Sequence, residues 1–158
     1  MITLDMPTDS KLMAAVGRVA IRHGQLGYVL QMTLKSIEGI SVREALDATE
    51  RLGSSELRRR VRKSAKQKFG DGPTLTRLDA LLTRCRRATA NRNEILHSLW
   101  AQDKEGNLVI RDDDGHNFRP PPTKLELKKM AGELAKVASD LNEARLSGFL
   151  RDALNDAQ

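Results

Sequence analysis

Residues 75–100 read LTRLDALLTRCRRATANRNEILHSLW, in which Leu75, Leu78, Leu82, Cys85, Thr89, Arg92, Leu96 and Leu99 recur at alternating three- and four-residue steps. That spacing returns each side chain to one side of a 3.6-residue turn, so an amphipathic helix is expected from about Thr74 to Trp100. The stripe is apolar in its first half and turns polar at Thr89 and Arg92. Arginine and asparagine are poor core residues and histidine is intermediate. Arg92, Asn93 and His97 therefore either occupy a wet flank or are arranged for chemistry.

A longer stripe precedes it. Leu12, Val16, Val19, His23, Leu26, Leu30, Leu34 and Ile37 follow the same spacing behind the cap candidates Thr8 and Asp9, which reads as one helix ending at Gly39. Gly17, Ala20, Gly24 and Gly27 run beside that stripe. Helix glycines cost about 1 kcal/mol each relative to alanine, so the ridge is expected to serve a close crossing within the chain or a seam between two copies. Ser41-Val42-Arg43-Glu44 is a capping-box pattern opening a short helix that Leu46 and Leu52 carry to Gly53. Leu57, Val61, Ala65 and Phe69 mark the next helix, closed by Gly70-Asp71-Gly72-Pro73. Residues 101–119 hold Glu105-Gly106-Asn107 between β-capable runs, a hairpin signal. After Pro120-Pro121-Pro122, Thr123-Lys124-Leu125-Glu126 opens a final helix with Leu127, Met130, Leu134, Val137, Leu141 and Ala144 on its face, extended by Phe149 and Leu150.

With 158 residues, the chain is expected to form a single domain over 1–158. Its hydrophobic share is 39% but only 3% is aromatic, which suits packed helices better than a sandwich or barrel. The expected fold class is all-α: an antiparallel bundle of about four to five helices with a small β-hairpin before the last helix. No apolar run reaches the length of a membrane span, and MITLDMPTDSK lacks the basic and apolar regions of a signal peptide. The lone Cys85 excludes a disulfide within one chain and most simply packs as a small hydrophobe. A cytoplasmic location is expected. A formal charge of +6 and a pI near 9.8 make a polyanionic partner plausible.

The charge is concentrated in GSSELRRRVRKSAKQKFG, residues 53–70. Arg58, Arg59, Arg62, Lys63 and Lys66 are candidates to contact RNA phosphates, with a merely solvated helix face as the bland alternative. No aromatics are interleaved, so base stacking is not indicated. On the helix at 74–100, Asn93 and His97 are one turn apart and Arg86 lies two turns before Asn93 on the same side, making Arg86 a further phosphate candidate.

Arg92-Asn93-Glu94-Ile95-Leu96-His97 resembles the Arg-x4–6-His motif of the HEPN superfamily (higher eukaryotes and prokaryotes nucleotide-binding). In that motif a polar residue, often Asn, follows the Arg, late in a long helix of a bundle. Trp100 after the His, and a hairpin leading into the last helix, resemble one of its sub-types. The resemblance implies metal-independent RNA cleavage, in many members as a toxin or phage-defence component paired with an antitoxin protein, and nucleotide binding alone in others. It also implies a homodimer with a shared site, in which His97 handles protons, Arg92 stabilises the phosphorane and Asn93 positions them. Attack by the RNA's own 2′-hydroxyl moves two protons, and one motif supplies one imidazole, which a second copy would complete. The tyrosine motif that antitoxins modify in some HEPN toxins is missing; Tyr28 is the sole tyrosine.

The residue chemistry agrees: imidazole exchanges protons near neutral pH and guanidinium keeps its charge beside phosphate. The opposing view is that His97 caps the helix C-terminus and Arg92 is salt-bridged to an acidic residue of a neighbouring helix. A non-catalytic nucleotide-binding or dimeric interaction module is the alternative function. A DNA-binding reading lacks base-reading Asn or Gln near the start of the basic helix. No metal or cofactor is expected, because His23, His97 and His116 are scattered and Asp112-Asp113-Asp114-Gly115 lacks the further ligands of a calcium loop. His23, mid-stripe, reads as a hydrogen-bonded core histidine unless it proves close to His97.

Overall fold

The computed structural model describes residues 2–4, 7–111 and 117–157; the acidic turn at 112–115 and His116 lie outside the described residues. In chain order the elements are α1 (Ser10–Glu38), α2 (Val42–Thr49), α3 (Ser54–Phe69), α4 (Pro73–Leu96), β1 (Trp100–Gln102), β2 (Leu108–Arg111), β3 (Phe118–Arg119), α5 (Lys124–Leu146) and α6 (Phe149–Asp156). The expected all-α bundle is present, with four long helices and two of eight residues each.

Helix α1 is the centre: it packs along α5 and also against α3, α2 and α4. Leu26, Leu30 and Leu34 of α1, Val61 of α3, Leu78 and Cys85 of α4, and Leu127, Leu134 and Leu141 of α5 are buried together. The seven-residue spacing of the three α5 leucines keeps one stripe turned to α1 over its length. The three residues between α3 and α4 join helices that pack on each other, so the pair is an αα-hairpin.

Local signals set most helix limits. Asp9 Oδ1 accepts from the backbone N–H of Lys11 and Leu12 at 2.9 and 3.0 Å, and both capping boxes, Ser41–Glu44 and Thr123–Glu126, are formed. Gly39 closes α1 at φ 68°, its N–H donating to Lys35 O at 2.9 Å. A Cβ added at Gly39 would meet nothing within 4 Å, so Gly39→Ala tests backbone conformation alone. A loss of about 1 kcal/mol is expected, read as a melting temperature lower by about 2–4 °C; an unchanged transition would contradict the cap.

Four expectations are corrected in detail. Helix α4 stops at Leu96, four residues short of Trp100, because the Trp100 indole N–H donates to Ile95 O at 3.0 Å and occupies a carbonyl of the last turn. Trp100 thereby anchors the sheet to the bundle. That sheet has three antiparallel strands in the order β1-β2-β3, rather than a simple hairpin. Helix α2 ends at Thr49, before Leu52; the Thr49 hydroxyl donates to Ala45 O at 2.7 Å and accepts from Gln31 Nε2 at 2.9 Å. The final helix breaks at Ser147-Gly148, whose N–H groups both donate to Glu143 O at 3.0 Å. A Cβ at Gly148 would lie 3.1 Å from Ala144 Cα, so the glycine permits this close turn into α6.

The glycine ridge of α1 makes no close crossing among the described residues: a Cβ at Gly17, Gly24 or Gly27 would meet nothing there within 4 Å. Exposed Ile21 and Tyr28 lie on the same helix. No helix among the described residues is long and apolar enough to cross a membrane.

Candidate functional site

The last turn of α4 sets the first three groups. Arg92 is half-buried, whereas Asn93 and His97 are exposed. Arg92 Nη1 donates to Asn93 Oδ1 at 2.7 Å and meets His97 Nε2 at 3.2 Å. Guanidinium only donates, so His97 Nε2 is the acceptor in this contact. His97 is also the C-cap residue, its backbone N–H donating to Asn93 O, as the opposing view held. Arg92, however, has no salt bridge to a neighbouring helix among the described residues; its partners are Asn93 and His97.

A second imidazole lies within the electrostatic reach of this turn. His23 of α1 is half-buried, with Nε2 3.2 Å from the Ser54 hydroxyl at the start of α3. Burial pushes its pKa below the ordinary imidazole value, and the charges of Arg92, Arg58 and His97 push it the same way. His23 is therefore neutral at neutral pH. Burial also works against the charges of Arg92 and Arg58, and Arg86 adds to the effect at Arg58 while Cys85 opposes it. Neither Arg58 nor Arg92 forms an ion pair among the described residues. Arg58 Nη1 and Arg92 Nε, like Arg145 Nε on α5, are buried with no hydrogen-bond partner among the described residues. Buried guanidinium N–H groups of this kind are the donors that carboxylate or phosphate oxygens satisfy.

A groove of about 410 Å³ between α3 and α4 is lined by Ser55, Arg58, Arg59, Arg62, Asp79 and Arg86 among others, with Arg92, Asn93 and His97 outside its lining. Four of the six expected phosphate contacts thus converge. Arg62 is held by Asp79 through two bonds of 2.9 and 3.1 Å, which partly neutralises it. Lys63 and Lys66 do not line the groove; Lys66 pairs with Asp71 at 3.2 Å. Arg60 is structural, bonding Ala48 O and Glu38. A second concavity on the α4–α5–α6 side contains Arg84, but that guanidinium is paired with Asp140 at 2.6 Å.

Cys85 is buried and its thiol is pushed up to about 11 by burial, so it is no nucleophile at neutral pH. No three His, Cys, Asp or Glu side chains gather to hold a metal among the described residues. Sequence reading left His23 as a core residue; its spacing put it on the buried side without saying what faced it. No protein-family model, curated protein or solved structure matches the chain.

Proposed function

We propose that the chain is an RNA-binding, metal-independent endoribonuclease of HEPN type. The carrying observation is Arg92: half-buried, tied to Asn93 and His97, and, among the described residues, without a carboxylate partner and with Nε unspent. A phosphodiester entering between Arg92 and His97 takes over the Nη1 donor. That frees His97 Nε2 to carry a proton for the departing oxygen, while the guanidinium faces the charge that builds on the phosphorane. Asn93 keeps Arg92 oriented, and the groove with Arg58, Arg59 and Arg86 holds flanking phosphates.

The products expected are a 2′,3′-cyclic phosphate and a 5′-hydroxyl, formed from an RNA pool of mixed sequence in EDTA. Wild type that cuts no RNA under these conditions overturns the proposal and favours a binding-only module, which the unmet donors on Arg58 and Arg92 would equally serve by holding a nucleotide phosphate. Exposed Ala20, Ile21, Gly24 and Tyr28 on α1 support a homodimer, testable by sedimentation of wild type against Gly24→Leu.

The groove carries a separate expectation. Arg59→Gln and Arg86→Gln should each weaken RNA binding similarly for all sequences. Each should also reduce the slope of log affinity against log salt by about 0.7. An unchanged slope would remove that arginine from the phosphate track.

A further inference from the structure

His23 is an unusual core histidine. A buried imidazole is ordinarily satisfied by a carboxylate, a backbone carbonyl or an ordered water. Here its partner is the Ser54 hydroxyl, and the charges acting on it are Arg58 from α3 and Arg92 and His97 from α4, none of them acidic. Two of those groups, Arg58 and Arg92, hold buried N–H groups with no partner among the described residues. An apolar side chain would pack the α1 stripe at this position without desolvating an imidazole beside two guanidinium groups. The arrangement becomes favourable once a phosphate supplies negative charge between α1, α3 and α4.

We infer that His23 is a second proton-carrying residue of this site, so that one chain holds both imidazoles needed for transesterification of RNA. This rests on the endoribonuclease reading. His23 accepts the proton of the attacking 2′-hydroxyl, directly or through the Ser54 hydroxyl, as the bond from that oxygen to phosphorus forms. The bond from phosphorus to the 5′-oxygen breaks, and protonated His97 gives its proton to that oxygen. The ring that gained a proton and the ring that lost one are reset through water, so no further reactant is consumed. The charge field suits this division: a neutral imidazole among cations is ready to accept a proton, and the negative phosphorane offsets the charge it then carries.

The test is single-turnover cleavage in EDTA across pH by wild type, His23→Gln, Ser54→Ala and His97→Ala, with RNA affinity measured in parallel. Wild-type activity should rise with pH along an acid limb lying below the ordinary imidazole range, because His23 must be neutral to act. His23→Gln should lower the rate about 10²-fold or more with affinity retained, and should abolish that limb. Ser54→Ala, at the first turn of α3, should keep the fold and displace the limb, so the inference stays testable should His23→Gln misfold. Co-expressed His23→Gln and His97→Ala chains should remain inactive together, since each lacks one imidazole. Wild-type rate and pH profile in His23→Gln, an unmoved limb in Ser54→Ala, or activity restored on mixing would overturn this inference while leaving the nuclease reading intact. Wild type that cuts no RNA overturns both.

Discussion

Arg92→Lys is expected to slow RNA cleavage by about 10²- to 10³-fold, equivalent to about 2.7–4 kcal/mol of transition-state stabilisation, with the fold unchanged. The reason is geometric. One guanidinium meets Asn93 Oδ1 and His97 Nε2 through the same nitrogen, while Nε stays available for a phosphate oxygen. An ammonium has the charge but not the planar fork, so it cannot keep Asn93 and His97 and grip a phosphate together. Stability should move by less than about 0.5 kcal/mol, because Arg92 joins no ion pair with another helix among the described residues. The measurement is the single-turnover rate at saturating RNA beside a thermal melt. The double variant Arg92→Lys, His97→Ala should be scarcely slower than His97→Ala, since the two groups act on one phosphate. A wild-type rate in Arg92→Lys would remove Arg92 from the reaction.

Leu34→Ala should carry the largest stability loss, about 3 kcal/mol within the usual range for a buried leucine. Leu34 is 0% exposed in the helix that contacts every other long helix. Removing its branched end leaves a cavity that the core packed around α1 can only partly collapse to fill. The melting temperature should drop by about 6–12 °C at the two-state midpoint. Ile21→Ala, on the same helix but 64% exposed, should change stability by less than about 0.5 kcal/mol. Equal effects from the two would mean that α1 is not the centre of the core.

How far each feature could be read from the chain follows the range of the interactions that set it. The helix starts at Asp9, Ser41 and Thr123 depend on side chains reaching two or three residues along the backbone, and such contacts are written in the local order of residues. The α4 end was harder. Leu96 and Leu99 continue the spacing, yet the Trp100 indole folds back onto Ile95 O and ends the helix. The break at Gly148 was hidden for a similar reason: Phe149 and Leu150 extend the apolar face, while the close approach to Ala144 that stops α5 is a matter of backbone geometry.

From its sequence alone the protein was determined to be helical, basic along α3, and to carry Arg92, Asn93 and His97 within one turn and a half at the end of α4. All of these follow from periodicity, capping and short-range spacing. Only the tertiary structure decided that the charges of Arg58, Arg92 and His97 bear on His23, that Lys63 and Lys66 stay outside the groove, and that a Cβ at Gly17, Gly24 or Gly27 would meet nothing within 4 Å among the described residues. Periodicity fixes the side of a helix on which a residue lies. Which residue of another helix stands opposite depends on how α1, α3 and α4 cross, and that is chosen by the packing of the whole core.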